Sequence, residues 1–468
     1  MIFHPQNMIK TPGSLVLSGN IRAIAHPCLN QPIIKEFWHN FTFKSTTLDI
    51  RESEDLIFLI GNAQPISLDH DDYSINVETG GICVRAKSEK DLIRAFMTLI
   101  DQFQAIDCDD KLAVAMDCCQ IKDHPLIRNR MVHFCIFPET ELWELQRFIR
   151  LCGALKYTHI VLEFWGMLQY DCMKELSWRQ AFTKEQIRPL VREANDLGLE
   201  IIPMFNHWGH ASAGRVMHGK HVVLDQDLAL QTYFSEDGWC WDIQKPKVRD
   251  LLRQIRAELI ELCGDGGYFH IGCDEAYNFE FTQDNMNMVC DFINEIDEEL
   301  RSQRRRTIVW GDMFLYRHPH YHADNRYTCN APTAEAERYM LERLHRDLVI
   351  ADWQYDAPQA PVETASVFAR AGFDCLLCPW DRSEAKMNAV CSTVKQEALW
   401  GLLHTTWHTL SNGMPYVTRA GVEGWECTDG VGAVAIHTQT ATLLRKVMPI
   451  GGDYEKAGWG KFQIGTLW

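Results

Sequence analysis

"YFHIGCDEAYNFE", residues 268–280, carries an apolar run straight into two adjacent carboxylates, Asp274 and Glu275. Tyr268–Gly272 has the aromatic and apolar character of a short buried strand. Neighbouring side chains on a strand point to opposite faces. Both acids therefore reach one ligand only if the strand ends near Gly272 and the chain turns there, which a glycine permits. The fold follows from how often this arrangement recurs. Similar short runs lie at Arg130–Phe134, His159–Phe164, Ile201–Asn206, Thr307–Trp310, Val349–Asp352, Cys375–Cys378 and Leu402–Thr406. Each gap leaves room for a helix and a loop. One such helix opens with a capping box, Thr183 to Gln186, ahead of "IRPLVREANDLGLE". With Tyr268–Gly272 this makes eight strand–helix repeats, the rhythm of an α/β (β/α)8 TIM barrel, assigned to residues 121–468.

Residues 1–120 have a different rhythm and are read as a small α+β domain preceding the barrel. "DLIFLIGN" and "YSINVETGGICVRA" are strand segments, the second a hairpin turning at Gly80–Gly81. "SEKDLIRAFMTLIDQF" is an amphipathic helix capped by Ser88, with Leu92, Phe96, Leu99 and Phe103 on one face.

Composition narrows the function. The chain has 468 residues, 46% hydrophobic and 23% charged, with a formal net charge of −17. So acidic a protein is a poor match for nucleic acid, which needs a basic surface. The one basic run, Arg301–Arg306, is read as a solvated helix end. No window approaches ~18 uninterrupted apolar residues, so no membrane span is expected. The N-terminus lacks a basic segment followed by an apolar core, so no signal peptide is expected. Seventeen scattered cysteines suit reduced thiols in a cytoplasmic protein better than a disulfide framework. Cys375 and Cys378 form the one CxxC, without a second pair to complete a metal site, and are read as part of a buried strand.

On a barrel of this kind the functional groups sit at the carboxyl ends of the strands. Just past the proposed strands come Trp165, then Asn206 to His210, then Asp274 and Glu275. After them come Trp310 and Asp312, then Trp353, Tyr355 and Asp356, then Trp380 and Asp381, then Trp407 and His408. The chain has fifteen tryptophans, and scattered structural ones would not collect at one end of successive strands. Aromatic rings with a few carboxylates suit a sugar, whose C–H faces pack on indole while its hydroxyls need acceptors.

Ordinary two-carboxylate glycosidases place their acids on different strands, ~5–5.5 Å apart for retention and ~6.5–9.5 Å for inversion. An adjacent pair fits the substrate-assisted exception better, in which the 2-acetamido oxygen of the substrate attacks the anomeric carbon. Glu275 then protonates the leaving oxygen, and Asp274 orients the acetamido N–H and offsets the oxazolinium charge. Such an acid must stay protonated near neutral pH, so a raised pKa is expected at Glu275.

"HIGCDEA" resembles the H-x-G-x-D-E signature of glycoside hydrolase family 20, the β-N-acetylhexosaminidases. "IKDHPLIRNR" resembles that family's approach to the barrel, and "IIPMFNHWGH" its third-strand segment, which ends in Gly-His. The resemblance implies an exo-acting enzyme that takes a terminal β-linked GlcNAc or GalNAc from an oligosaccharide, with no metal and no cofactor. It implies that His210 lies beside the acid and that Arg130 grips sugar hydroxyls. Trp310, Trp353 and Trp407 would wall an acetamido pocket, with Tyr355 donating to the acetamido oxygen. Met204 and Asn206 stand where common members carry Glu and Asp, and Thr409 where they carry a sugar-binding Glu. With Glu163 at the second strand's end and "WGDMF" later, the chain looks more like a divergent, often intracellular branch. Asp356 and Asp381 are candidate substitutes for the missing acid, and Trp380 and Glu163 further candidate sugar contacts. Two other readings stay open. His207, His210, His270 and Asp274 can be drawn as ligands of a metal-dependent barrel hydrolase, and a non-catalytic sugar-binding relative would keep the same fold.

Overall fold

The computed structural model describes residues 4–108, 110–212, 223–322, 327–357, 360–380, 384–407, 410–426 and 433–449. Eight parallel strands close a barrel in chain order: β1 (Asn129–Cys135), β2 (His159–Glu163), β3 (Glu200–Met204), β4 (Tyr268–His270), β5 (Arg306–Trp310), β6 (Val349–Trp353), β7 (Asp374–Cys378) and β8 (Gly401–His404). β8 pairs back onto β1, Leu403 opposite Met131. All eight expected strands are present, within about two residues of their expected bounds. β4 is shorter than expected because the chain already turns at Gly272, where φ is +68°.

Strand alternation fills the barrel. Met131, Val161, Ile202, Met204, Ile308, Trp310, Val349, Ala351, Leu376, Cys378 and Leu403 form one buried interior cluster. Their neighbours Val132, Phe134, Ile160, Leu162, Ile201, Val309, Ile350, Cys375, Leu377 and Leu402 belong to the outer core against the helices. This is the two-sided burial that makes such strands read as continuous apolar runs. Cys375 and Cys378 are buried parts of β7, as expected.

The N-terminal region builds an eight-stranded sheet with helices Pro32–Phe41 and Glu89–Asp101. The Tyr73–Glu78 and Gly81–Ala86 hairpin and the Ser88 cap are as expected; Ser88 Oγ accepts from Asp91 N–H. The sheet's last strand, Lys111–Asp123, runs beyond residue 120. The basic run matches its expected role only in part: Arg301 and Arg304 are exposed at the end of the helix Gln283–Ser302, whereas the two arginines after them are not in solvent. Arg305 is buried and donates to the carbonyls of Gly264 and Tyr268, and Arg306 opens β5 and pairs with Asp374 at 2.8 Å. These guanidinium groups tie strand starts together instead of sitting in solvent.

Asp123 joins the sheet to the barrel. Its Oδ2 accepts from Tyr73 Oη at 2.5 Å and Trp425 Nε1 at 2.9 Å. Lys156 Nζ lies 3.9 Å from it and 3.5 Å from the Trp425 ring centroid. Full burial pulls the Lys156 ammonium down from its usual 10.5 to about 7, against the opposing pull of Asp123. Between those values the unfolded chain holds the lysine proton and the folded chain does not, so this group makes stability rise with pH. Urea unfolding from pH 7 to pH 10 is expected to show that rise, and Lys156→Met to flatten it. An unchanged slope in the variant would remove Lys156 as its source.

Candidate active site

The site is assembled where the six strands β3 to β8 end. After β4 the chain passes through three left-handed residues, Gly272, Cys273 (φ +73°) and Glu275 (φ +50°), with His210 (φ +57°) facing them from the segment after β3. Left-handed backbone costs about 1–2 kcal/mol for a residue with a Cβ, and it persists only where the surroundings over-determine it. Gly272 could not be anything else, because a Cβ there would lie 1.7 Å from Asn206 Oδ1 and 2.7 Å from its Cγ. Gly272→Ala is expected to destabilise the chain by about 2–5 kcal/mol, from left-handed strain plus overpacking. Thermal denaturation checks this, and an unchanged midpoint would contradict it.

The turn brings both acids to one side. His210 Nε2 lies 2.9 Å from Glu275 Oε2 and 3.3 Å from Asp274 Oδ2. Asp274 is buried and Glu275 partly exposed. The Glu275 carbonyl accepts from Trp239 Nε1 at 2.6 Å, and the Trp239 ring lies 4.4 Å from the His210 ring. Glu275 N–H donates to Asp312 Oδ2 at 3.0 Å. Burial, and next the charge of Asp274, push the Asp312 carboxyl's pKa upward, while the N–H groups of Glu275 and Trp353 that donate to it favour the carboxylate and pull it back.

A cavity of about 240 Å³ opens on these acids, lined by His210, Asp274, Glu275, Trp353, Tyr355, Trp380 and Trp407. The Tyr355 oxygen accepts from Trp407 Nε1 at 2.7 Å and lies 3.1 Å from Thr405 Oγ1, whose own proton has the Pro379 carbonyl within reach at 3.0 Å. Trp353 and Trp380 each lie 5.2 Å from the Tyr355 ring. The result is a small aromatic box with two carboxylates and a histidine along one side.

Several residues expected at the site are elsewhere. Arg130 is the second residue of β1, at the end of the barrel away from the cavity. It pairs with Leu402 and shares the outward face with Val132 and Phe134. Its guanidinium donates to the carbonyls of Ile127 and Lys156 and lies over Trp425, so it cannot grip a sugar at the mouth. Alternation decides this: Met131 takes the inward direction, and Arg130 must face the helices. Glu163 does point inward but has no exposed surface; it is held by His133 Nε2 at 2.9 Å and Asn206 Nδ2 at 3.0 Å. Trp310 is equally buried, in the barrel interior 4.3 Å from the His270 ring, rather than in the pocket wall. Asp356 is exposed and pairs with Lys386 at 2.6 Å, away from the cavity lining. Asp381 and Thr409 lie outside the described residues.

The four residues drawn as metal ligands do not converge. His207 Nδ1 lies 2.6 Å from the Phe205 carbonyl, and His270 Nδ1 accepts from Gly272 N–H at 3.0 Å. Among the described residues, the group whose atoms do come within 4.8 Å of one another is His210, Asp274 and Glu275, the same trio that faces the cavity.

The sequence puts Asp312 at a strand end without giving it a role, and it gives no sign of Trp239. Asp312 had a signal, since it follows β5 by two residues. Trp239 lies in a long connection far from any strand end, where spacing carries no information.

Residues 161–383 match the family model described as glycosyl hydrolase family 20, catalytic domain. This stretch belongs to that family. The family 20 stretch holds six of the seven cavity-lining residues, all but Trp407. A lacto-N-biosidase of Bifidobacterium bifidum is 21% identical over 190 residues, 36% of this chain and 16% of that protein. A β-hexosaminidase of Emericella nidulans is 24% identical over 166 residues, 30% of this chain and 27% of that protein. The matched stretches thus span well under a third of either relative. A family 20 exo-β-N-acetylglucosaminidase from Vibrio harveyi, solved with N-acetylglucosamine, superposes with a TM-score of 0.69 at 16% identity, covering 95% of this chain and 77% of its own. At that identity the likeness is one of fold: the family 20 barrel and the region before it align together.

Proposed function

We propose that the chain is a retaining, exo-acting β-N-acetylhexosaminidase that releases a terminal β-linked GlcNAc or GalNAc by substrate-assisted catalysis. The observation that carries this reading is the pairing of Asp274 with Glu275 on one side of the cavity, with no third carboxylate among the described residues that line it to serve as a nucleophile. At about 240 Å³ the cavity is smaller than the ~300–1,000 Å³ usual for drug-sized ligands, a size suited to one sugar residue.

Glu275 donates its proton to the glycosidic oxygen as the acetamido oxygen closes on the anomeric carbon. Asp274 accepts from the acetamido N–H and offsets the positive charge of the oxazolinium. Tyr355 donates to the acetamido oxygen, and the rings of Trp353, Trp380 and Trp407 exclude water. Water then opens the oxazolinium with Glu275 as base, and the configuration is retained.

The test is release of chromophore from aryl β-GlcNAc and β-GalNAc, with and without EDTA and with a thiazoline mimic of the intermediate. Thiazoline inhibition with indifference to EDTA is the expected result. Loss of activity with the chelator would favour the cation reading of the same trio, and no release from either sugar would leave only sugar binding. We also place the protein in the cytoplasm. Sixteen cysteines among the described residues are free thiols, which suits a reducing compartment, and cell fractionation decides it.

A further inference from the structure

We infer that Asp312 is a positioning residue for this reaction, holding the backbone of the proton donor Glu275 and the indole of Trp353 with one buried carboxylate. The inference rests on the hexosaminidase reading and deepens it.

Asp312 begins the short helical turn Asp312–Phe314 directly after β5 and is 1% exposed. Its Oδ2 accepts from Glu275 N–H at 3.0 Å and Asn330 Nδ2 at 2.8 Å, and its Oδ1 from Trp353 Nε1 at 3.0 Å. All three partners are N–H donors. A carboxylate can accept from all of them, whereas the amide of an asparagine would set its own donor against one of theirs.

Glu275 needs such a clamp because it is a left-handed residue with a Cβ, a conformation kept only where neighbours fix it. Trp239 Nε1 and Tyr277 N–H hold its carbonyl, and Asp312 holds its N–H. Asn330 closes the support from behind, its N–H donating to the Asp312 carbonyl at 2.9 Å. The second arm of Asp312 ends on Trp353, which lines the cavity. Proton donor and sugar wall are thus referenced to the same group, and a displacement of about 1 Å at such a site can cost on the order of 100-fold in rate.

Two arms predict two separable effects. Loosening the Glu275 peptide should impair proton donation, and so fall hardest on substrates with poor leaving groups. Loosening the Trp353 indole should weaken binding of the sugar ring whatever the leaving group.

The experiment measures kcat and KM of the full chain on two aryl β-GlcNAc substrates, one with a strongly and one with a weakly acidic phenol, together with thiazoline inhibition. Asp312→Asn is expected to lower kcat by roughly 10- to 100-fold on the poor leaving group and by less than about 5-fold on the good one, and to weaken thiazoline binding. Trp353→Phe keeps an aromatic face but removes the pyrrole half of the indole together with its N–H. It should weaken thiazoline binding without any dependence on leaving group. If Asp312→Asn does not fold, Asn330→Ala removes one support of Asp312 and should give a smaller loss with the same leaving-group dependence.

Equal losses on both substrates, or wild-type kinetics on both, would overturn the inference while leaving the hexosaminidase reading intact. A wild-type chain that releases neither phenol would end both together.

Discussion

Glu275→Gln is expected to lower kcat/KM by roughly 10²–10⁴-fold on an aryl β-GlcNAc with a poor leaving group, and by no more than about 10-fold on a strongly activated one. The glutamine keeps the shape of the side chain and its contact with His210, so the turn after β4 should stay folded. What disappears is the proton. An activated phenol departs without it, while a weakly acidic one needs it as the bond to the anomeric carbon breaks. The geometry that motivates the test is the Glu275 carboxyl on the cavity lining, 2.9 Å from His210 Nε2. Steady-state kinetics on the two substrates decide the matter, and an equal fall on both would mean that Glu275 is not the acid.

Asp274→Asn should behave differently. Losses on the order of 10²–10³-fold are expected on both substrates, because the oxazolinium forms whatever the leaving group. Asp274 is buried, with its Oδ2 3.3 Å from His210 Nε2. An amide would place a neutral group, and in one orientation a second N–H, where the acetamido N–H needs an acceptor. The substitution also reaches Asp312. The charge of Asp274 is the second cause, after burial, of that carboxyl's upward shift. With the charge gone, the Asp312 titration should move downward, which carboxyl ¹³C NMR can follow. Activity lost only on the poor leaving group, or Asp312 titrating unchanged, would argue against this role for Asp274.

Chain order and strand periodicity were enough to find the barrel. Strand identity is local: each run needs only apolar or aromatic residues buried on both faces and a break after it. The same local information located the turn at Gly272, because a glycine between an apolar run and two acids leaves few other conformations. It also placed His210, Asp274, Glu275, Trp353, Tyr355, Trp380 and Trp407 at strand ends, and all seven line one cavity.

Position along a strand does not fix which way a side chain faces or how deep it lies. Arg130 and Glu163 both looked available for a sugar. The register of β1 against β8 sends Arg130 outward onto Trp425, and β2 seals Glu163 between His133 and Asn206. Trp310 ends its strand as Trp353 does, yet it points into the barrel interior while Trp353 reaches the cavity. Trp239 and Asp312 gained their place at the acid only through closure, which brought a long connection and the end of β5 against the two sides of the Glu275 peptide. The sequence alone determined the strands, their order and the residues at their ends, because those depend on short-range patterning. The tertiary structure decided facing, depth and mutual support, because these arise only when strands distant in sequence pair in register and enclose a common space.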